Sequence, residues 1–157
     1  MTIKKIAGLI NTVKEMKEIY QTGNFFHCSI AMRGGNIIAM AYNDYSKSHP
    51  YHIFGEYKPT KIAFTTKYKP CTHSEIKLLK RLISMRRDDF HKITVINIRI
   101  NNNNQLACAA PCPNCLKRLI EYGFKKIFFT TDKANALGEI KIKTNKYNEK
   151  DYKRKFI

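Results

Sequence analysis

His73 and Glu75, close together in Pro70-Cys-Thr-His73-Ser-Glu75, are followed 36 residues after Glu75 by Pro111-Cys112-Pro-Asn-Cys115. The imidazole and the two thiolates are three good zinc ligands, and the carboxylate of Glu75 is left over. A structural zinc is usually closed by four protein ligands. Three ligands beside a carboxylate instead keep the fourth position for water and supply a base to deprotonate it. The pattern is therefore one of metal-assisted hydrolysis. Among five His and five Cys the chain holds a single H-x-E and a single C-x-x-C, in that order. Taken alone, Cys112 and Cys115 would read as a redox pair and His73 as a surface histidine; the combination favours the metal.

Such residues need elements that bring them together. After Ser74, apolar residues at 76, 79, 82 and 83 are spaced for one helix face, so His73 and Glu75 stand at a helix start. In the second motif Pro113 suits a first helical turn, Leu116, Leu119 and Ile120 form the apolar stripe, and Gly123 is placed to end the helix. Cys112 and Cys115 then lie at another helix start, where the positive end of the helix dipole favours thiolates. Upstream, Ile3, Ile6, Ile10, Val13, Met16 and Tyr20 predict one side of a helix that covers a sheet. Residues 25 to 32 and 36 to 42 flank Arg33-Gly34-Gly35 and predict a hairpin with a glycine turn whose second strand ends at Asn43. Further strands are expected at 93 to 100 and 126 to 131, with a polar loop at 101 to 105. Only residues 132 to 137 separate Thr131 from Gly138-Glu-Ile-Lys-Ile-Lys. That gap is too short for a crossover helix, so the last strand should run antiparallel to its predecessor.

With 157 residues, 43% hydrophobic, the chain can build one packed core but not two ordinary domains. A single domain is expected over residues 1 to 145. Residues 44 to 72 form a substrate-facing insertion too long for an ordinary connection, and 146 to 157 a basic, mobile tail. No run approaches the length of a membrane span, and the N-terminus turns polar too early for a signal peptide, which points to a soluble, intracellular protein and no membrane partner. Cys28, Cys71 and Cys108 read as reduced thiols. The net charge of +17, from 29 Lys and Arg against 12 acids, invites a polyanion, although richness in Ile and Asn, as in Asn101 to Asn104, is also the mark of a compositional bias that inflates Lys.

H-x-E followed by P-C-x-x-C resembles the zinc-dependent cytidine and deoxycytidylate deaminase superfamily. The resemblance spans roughly residues 25 to 144. It implies an α/β, three-layer fold with a mixed sheet of about five strands flanked by helices; the antiparallel last strand is similar to the cytidine-deaminase arrangement. It also implies His73, Cys112 and Cys115 as zinc ligands and Glu75 as the catalytic proton carrier for hydrolysis at C4 of cytosine. The position of Asn43 would contact the sugar, the backbone N–H of Ser74 the pyrimidine carbonyl, and backbone near Ala110 the amino group. Tyr45 is a further substrate-binding candidate from the insertion. The family usually carries Ala or Val between its His and Glu, so Ser74 departs from the pattern.

The substrate expected first is a free cytosine nucleoside or nucleotide of the deoxycytidylate kind. Cytosine in single-stranded DNA or RNA is the alternative, with a basic groove along the phosphates and Tyr42, Tyr45, Tyr51 or Tyr57 stacking on flanking bases. Adenosine in tRNA, or a nucleic-acid-binding module that uses zinc only to fold, are lesser readings. A homo-oligomer stays open, opposed at low salt by the charge.

Overall fold

The computed structural model describes residues 1 to 45, 72 to 133 and 136 to 143. Most of the expected insertion, including Pro70, Cys71, Tyr51 and Tyr57, and the expected basic tail lie outside the described residues. Helices are α1 (Ala7–Tyr20), α2 (Ser74–Ser84) and α3 (Pro113–Glu121); strands are β1 (Phe26–Arg33), β2 (Asn36–Tyr42), β3 (Thr94–Ile100), β4 (Leu106–Ala107), β5 (Lys126–Thr130) and β6 (Leu137–Lys141). The sheet runs in the order β2-β1-β3-β5-β6, with β4 paired to the end of β3. Among the described residues only the β3–β5 pair is parallel; β6 is antiparallel to β5, as the short connection demands.

Local chemistry accounts for the element ends. Gly34 and Gly35 both have positive φ, the conformation that a two-residue hairpin turn with the twist of its strands requires. The first four residues of the expected N-terminal helix, Ile3–Ile6, form a 3-10 turn capped by the Thr2 hydroxyl, which accepts from Lys5 N at 3.4 Å, before α1 proper begins. β4 was not expected: the polar loop at 101 to 105 is a reversal that lays Leu106 against Ile100 and Ala107 against Arg99.

Strand alternation sorts the interior into two layers. Ile96, Ile98 and Ile100 of β3, with Phe26, Cys28 and Ile30 of β1, pack under Ile6, Ile10 and Val13 of the N-terminal helical segment. On the other face Ala31, Val95, Ile127 and Phe129 meet Leu78, Leu79 and Leu82 of α2 and Leu116, Leu119 and Ile120 of α3. The expected three-layer α/β arrangement is what forms, with both motif helices on one face. Asp44 and Thr72 exchange two backbone hydrogen bonds, Asp44 N to Thr72 O at 3.0 Å and Thr72 N to Asp44 O at 2.8 Å. This bridge holds Thr72 beside the end of β2, and His73 follows directly at the start of α2.

Candidate metal centre and active site

Each motif residue is placed by a helix start. His73 is the N-cap of α2, with extended backbone, and Ser74 and Glu75 are its first two helical residues. Cys112 is the N-cap of α3, Pro113 its first helical residue, and the Cys112 sulfur accepts from Cys115 N at 3.4 Å, as a capping oxygen would. A C-x-x-C spacing at a helix start therefore turns both sulfurs to the same side. The two helices lie side by side on the sheet, which brings the two starts together.

His73 Nδ1 is 3.5 Å from Cys112 Sγ and 3.3 Å from Cys115 Sγ, and the three ligand atoms all lie within 4.8 Å of one another. Zinc bonds of about 2.3 Å to sulfur and 2.0–2.1 Å to nitrogen at a tetrahedral angle put neighbouring S and N ligands roughly 3.5 Å apart, so the donor set fits the ion. His73, Cys112 and Cys115 are thus positioned to hold a zinc ion through one imidazole and two thiolates. Among the described residues no other group of three such side chains could hold a metal. Electrostatics favour the ligand form at Cys112. Its contact with Cys115 holds the thiol well below its ordinary range; burial works against this, while His73, by hydrogen bond and by charge, adds to it. Burial opposes charge on His73, yet its hydrogen bond with Cys112 and the negative charges of Cys112 and Glu75 raise its pKa.

Glu75 is 1% exposed and belongs to no ligand group. Its Oε1 accepts from Asn97 Nδ2 at 3.0 Å, and its Oε2 lies 3.3 Å from Ser74 Oγ. Asn97 Nδ2 also donates to Ala109 O at 3.3 Å, Ser29 Oγ donates to Asn97 Oδ1 at 2.8 Å, and the hydroxyls of Ser29 and Ser74 are 2.7 Å apart. These side chains are the floor of the site. Register makes the pattern plain: β1 and β3 pair His27 with Arg99, Ser29 with Asn97 and Ala31 with Val95, and by alternation all six point to the face that carries α2 and α3.

The sequence reading missed Ser29, Asn97 and His27. A signal was present, since Ser29 and Asn97 interrupt apolar runs, but only the pairing of β1 with β3 puts them under Glu75. The Nε2 of His27 is buried with no hydrogen-bond partner among the described residues. Burial holds its pKa below 6.5; Glu75 and Cys112 pull it up, His73 and Arg99 push it down. Arg99 lies over the ring of Phe25, 4.0 Å from its centroid, and its Nη1 donates to Cys108 O at 3.3 Å.

The expected substrate residues are placed as follows. Asn43 is buried after β2; its Oδ1 accepts from His27 N at 2.8 Å and its Nδ2 donates to Phe25 O at 3.1 Å, so its amide braces the start of β1. Ser74 N belongs to the first turn of α2, whose N–H groups have no partner within the helix. Ala110 follows Ala109, whose N donates to Thr130 O at 2.9 Å, and packs on the helix-side core directly before Pro111. Tyr45 lays its ring on Gly23, so closely that no side chain fits there. Tyr42 is stacked within the protein, on Tyr20 at 4.9 Å and Phe26 at 5.7 Å between centroids, with Lys77 Nζ 4.4 Å over its ring.

A family model described as "Cytidine and deoxycytidylate deaminase zinc-binding region" matches residues 6–131. No curated protein matches the chain. Among solved structures it is similar to the crystal structure of dCMP deaminase from the cyanophage S-TIM5 in complex with dCMP and dUMP, at 15% identity and a TM-score of 0.48 over 82% of each chain.

Proposed function

The chain belongs to the zinc-binding cytidine and deoxycytidylate deaminase family, and from that premise we propose that it hydrolyses the exocyclic amine of cytosine, giving uracil and ammonia, in a free cytosine nucleoside or nucleotide of the deoxycytidylate kind. The observation that carries the reading is a carboxylate, Glu75, buried beside three metal ligands but not one of them. A structural zinc has no use for such a group, and an unpaired buried carboxylate is costly.

Bound by His73, Cys112 and Cys115, zinc supplies Lewis acidity that brings the pKa of water towards neutrality. Glu75 does the proton work. Its carboxylate takes a proton from the attacking water, hands it to N3 of the pyrimidine, and then carries the second water proton to the departing amine. The backbone N–H of Ser74 faces the pyrimidine carbonyl, backbone near Ala110 receives the amine, and Asn43 meets the sugar through the amide hydrogen that Phe25 does not use. With Tyr20, Phe26 and Lys77 already against its ring, Tyr42 serves the packing of the fold and not the stacking of a nucleic-acid base.

The test is turnover followed by mass spectrometry. Zinc-loaded protein is offered cytidine, deoxycytidine, deoxycytidylate and a single-stranded cytosine-containing oligonucleotide side by side, with Glu75→Ala as the control. Conversion of a monomer is expected. Conversion of the oligonucleotide alone would overturn the free-nucleotide substrate, and no conversion of any would overturn cytosine deamination.

A further inference from the structure

Asn97 stands where strand alternation asks for an apolar side chain. Val95, two residues earlier on the same face, is in the helix-side core, while Ile96 and Ile98 fill the opposite core. Its register partner on β1 is Ser29, and both are fully buried. Polar groups at such positions are costly unless satisfied. Here the hydrogens can be counted. Glu75 Oε1 and Ala109 O are both acceptors, so the NH2 of Asn97 must face them, and its two hydrogens are used up by those two bonds. Asn97 Oδ1 therefore faces Ser29 and takes the single hydroxyl hydrogen of Ser29, at 2.8 Å. Ser29 has none left for Ser74, so across their 2.7 Å separation Ser74 must be the donor. The hydrogen of Ser74 thus points at Ser29 and away from Glu75, and the 3.3 Å between Ser74 Oγ and Glu75 Oε2 is a contact without a proton.

We propose that Asn97 is the positioning residue of Glu75, fixed in turn by Ser29 and Ser74: the chain Ser74 to Ser29 to Asn97 ends on Oε1 and leaves Oε2 as the uncommitted oxygen that moves the proton. The inference rests on the deaminase reading for the role of Glu75. It also explains the departure at Ser74, where an Ala or Val would leave the Ser29 oxygen without its donor. A carboxylate held by a planar amide in a fixed orientation meets its reacting atoms without a search, and a displacement of 1 Å costs on the order of a hundredfold in rate.

The experiment pairs Asn97→Leu, close in volume but without polar atoms, with Glu75→Ala and the double variant. Zinc content, melting temperature, kcat and KM are measured for each. Expected for Asn97→Leu is one zinc per chain, KM near that of the parent, and kcat lower by about 10- to 100-fold. In the Glu75→Ala background the same substitution should change the residual rate little, because Asn97 acts only through that carboxylate. A purely structural role would instead lower both rates alike. Independently of turnover, the side-chain amide protons of Asn97 in 15N-labelled protein should be slow to exchange and should shift on Glu75→Ala. An Asn97→Leu protein that folds, holds zinc and keeps kcat within about twofold overturns the proposal; so does an amide signal indifferent to Glu75→Ala, which decides the matter if Asn97→Leu does not fold. Failure of the parent to turn over any cytosine substrate would remove the deaminase reading while leaving the amide measurement to stand or fall alone.

Discussion

Glu75 and His73 are two residues apart, yet the chemistry separates them: the imidazole faces two sulfurs, the carboxylate an amide. Glu75→Ala should therefore keep its zinc and lose activity by about 10²–10⁴-fold, whereas His73→Ala or Cys112→Ala should lose the zinc itself, as metal analysis beside the turnover assay would show. His27 makes a different prediction, about pH. Its folded pKa lies below 6.5, with Glu75, His73, Arg99 and Cys112 as the charges that act on it. As pH falls below about 6.5 the unfolded chain gains this proton and the folded chain does not, so stability is lost with falling pH until the folded pKa is reached. A His27→Gln protein, with nothing to protonate there, should show a shallower fall in melting temperature with acid than the parent. Equal slopes would mean that His27 titrates normally in the folded protein.

At the scale of elements, the site is two helix starts on one sheet face, and the stops matter as much as the starts. After α3, Gly123 takes a φ of 93°, its N–H reaching Ile120 O at 3.0 Å while Phe124 N reaches Leu119 O at 3.1 Å. This Gly turns the chain back into β5. Gly123→Ala should cost about 1–2 kcal/mol, from the strain of a Cβ in left-handed backbone, with kcat intact; thermal unfolding beside turnover measures both. The same punctuation made these elements legible: Pro113 and Gly123 bracket α3, two glycines mark the hairpin, and a six-residue gap forces β6 antiparallel. Also legible were the metal ligands, because H-x-E and C-x-x-C are contiguous. Asn97 and Ser29 were not, since they become neighbours only through β1–β3 register, which no local pattern encodes. β4 escaped for a related reason: two residues held by tertiary pairing have no periodicity to read.

On the scale of the whole molecule, the sheet separates two cores of different dependence. The α1 side is a mainly apolar layer in which Ile6, Ile10 and Val13 pack on Phe26, Cys28, Ile30, Ile96, Ile98 and Ile100. The α2–α3 side also buries Glu75, Asn97, Ser29 and Ser74 and gathers the sulfurs of Cys112 and Cys115 and the imidazole of His73 beside that carboxylate. A zinc ion held by His73, Cys112 and Cys115 would join the start of α2 to the start of α3 on that side, and no such ligand set exists in the unfolded chain, so metal binding would be folding free energy. A ligand at 1,000 times its Kd stabilises by about 4 kcal/mol, which sets the scale of what a chelator removes. Self-repulsion under the net charge of +17 already opposes compactness in the metal-free protein. Chelation should thus lower the melting temperature and loosen the molecule unevenly. In hydrogen exchange the hydrogen-bonded amides in the bodies of α2 and α3 should lose protection first, ahead of those of α1 and the β1–β3 ladder. Uniform loss across both layers would show instead that the two cores unfold as one unit, with zinc holding the whole sheet and not one face of it.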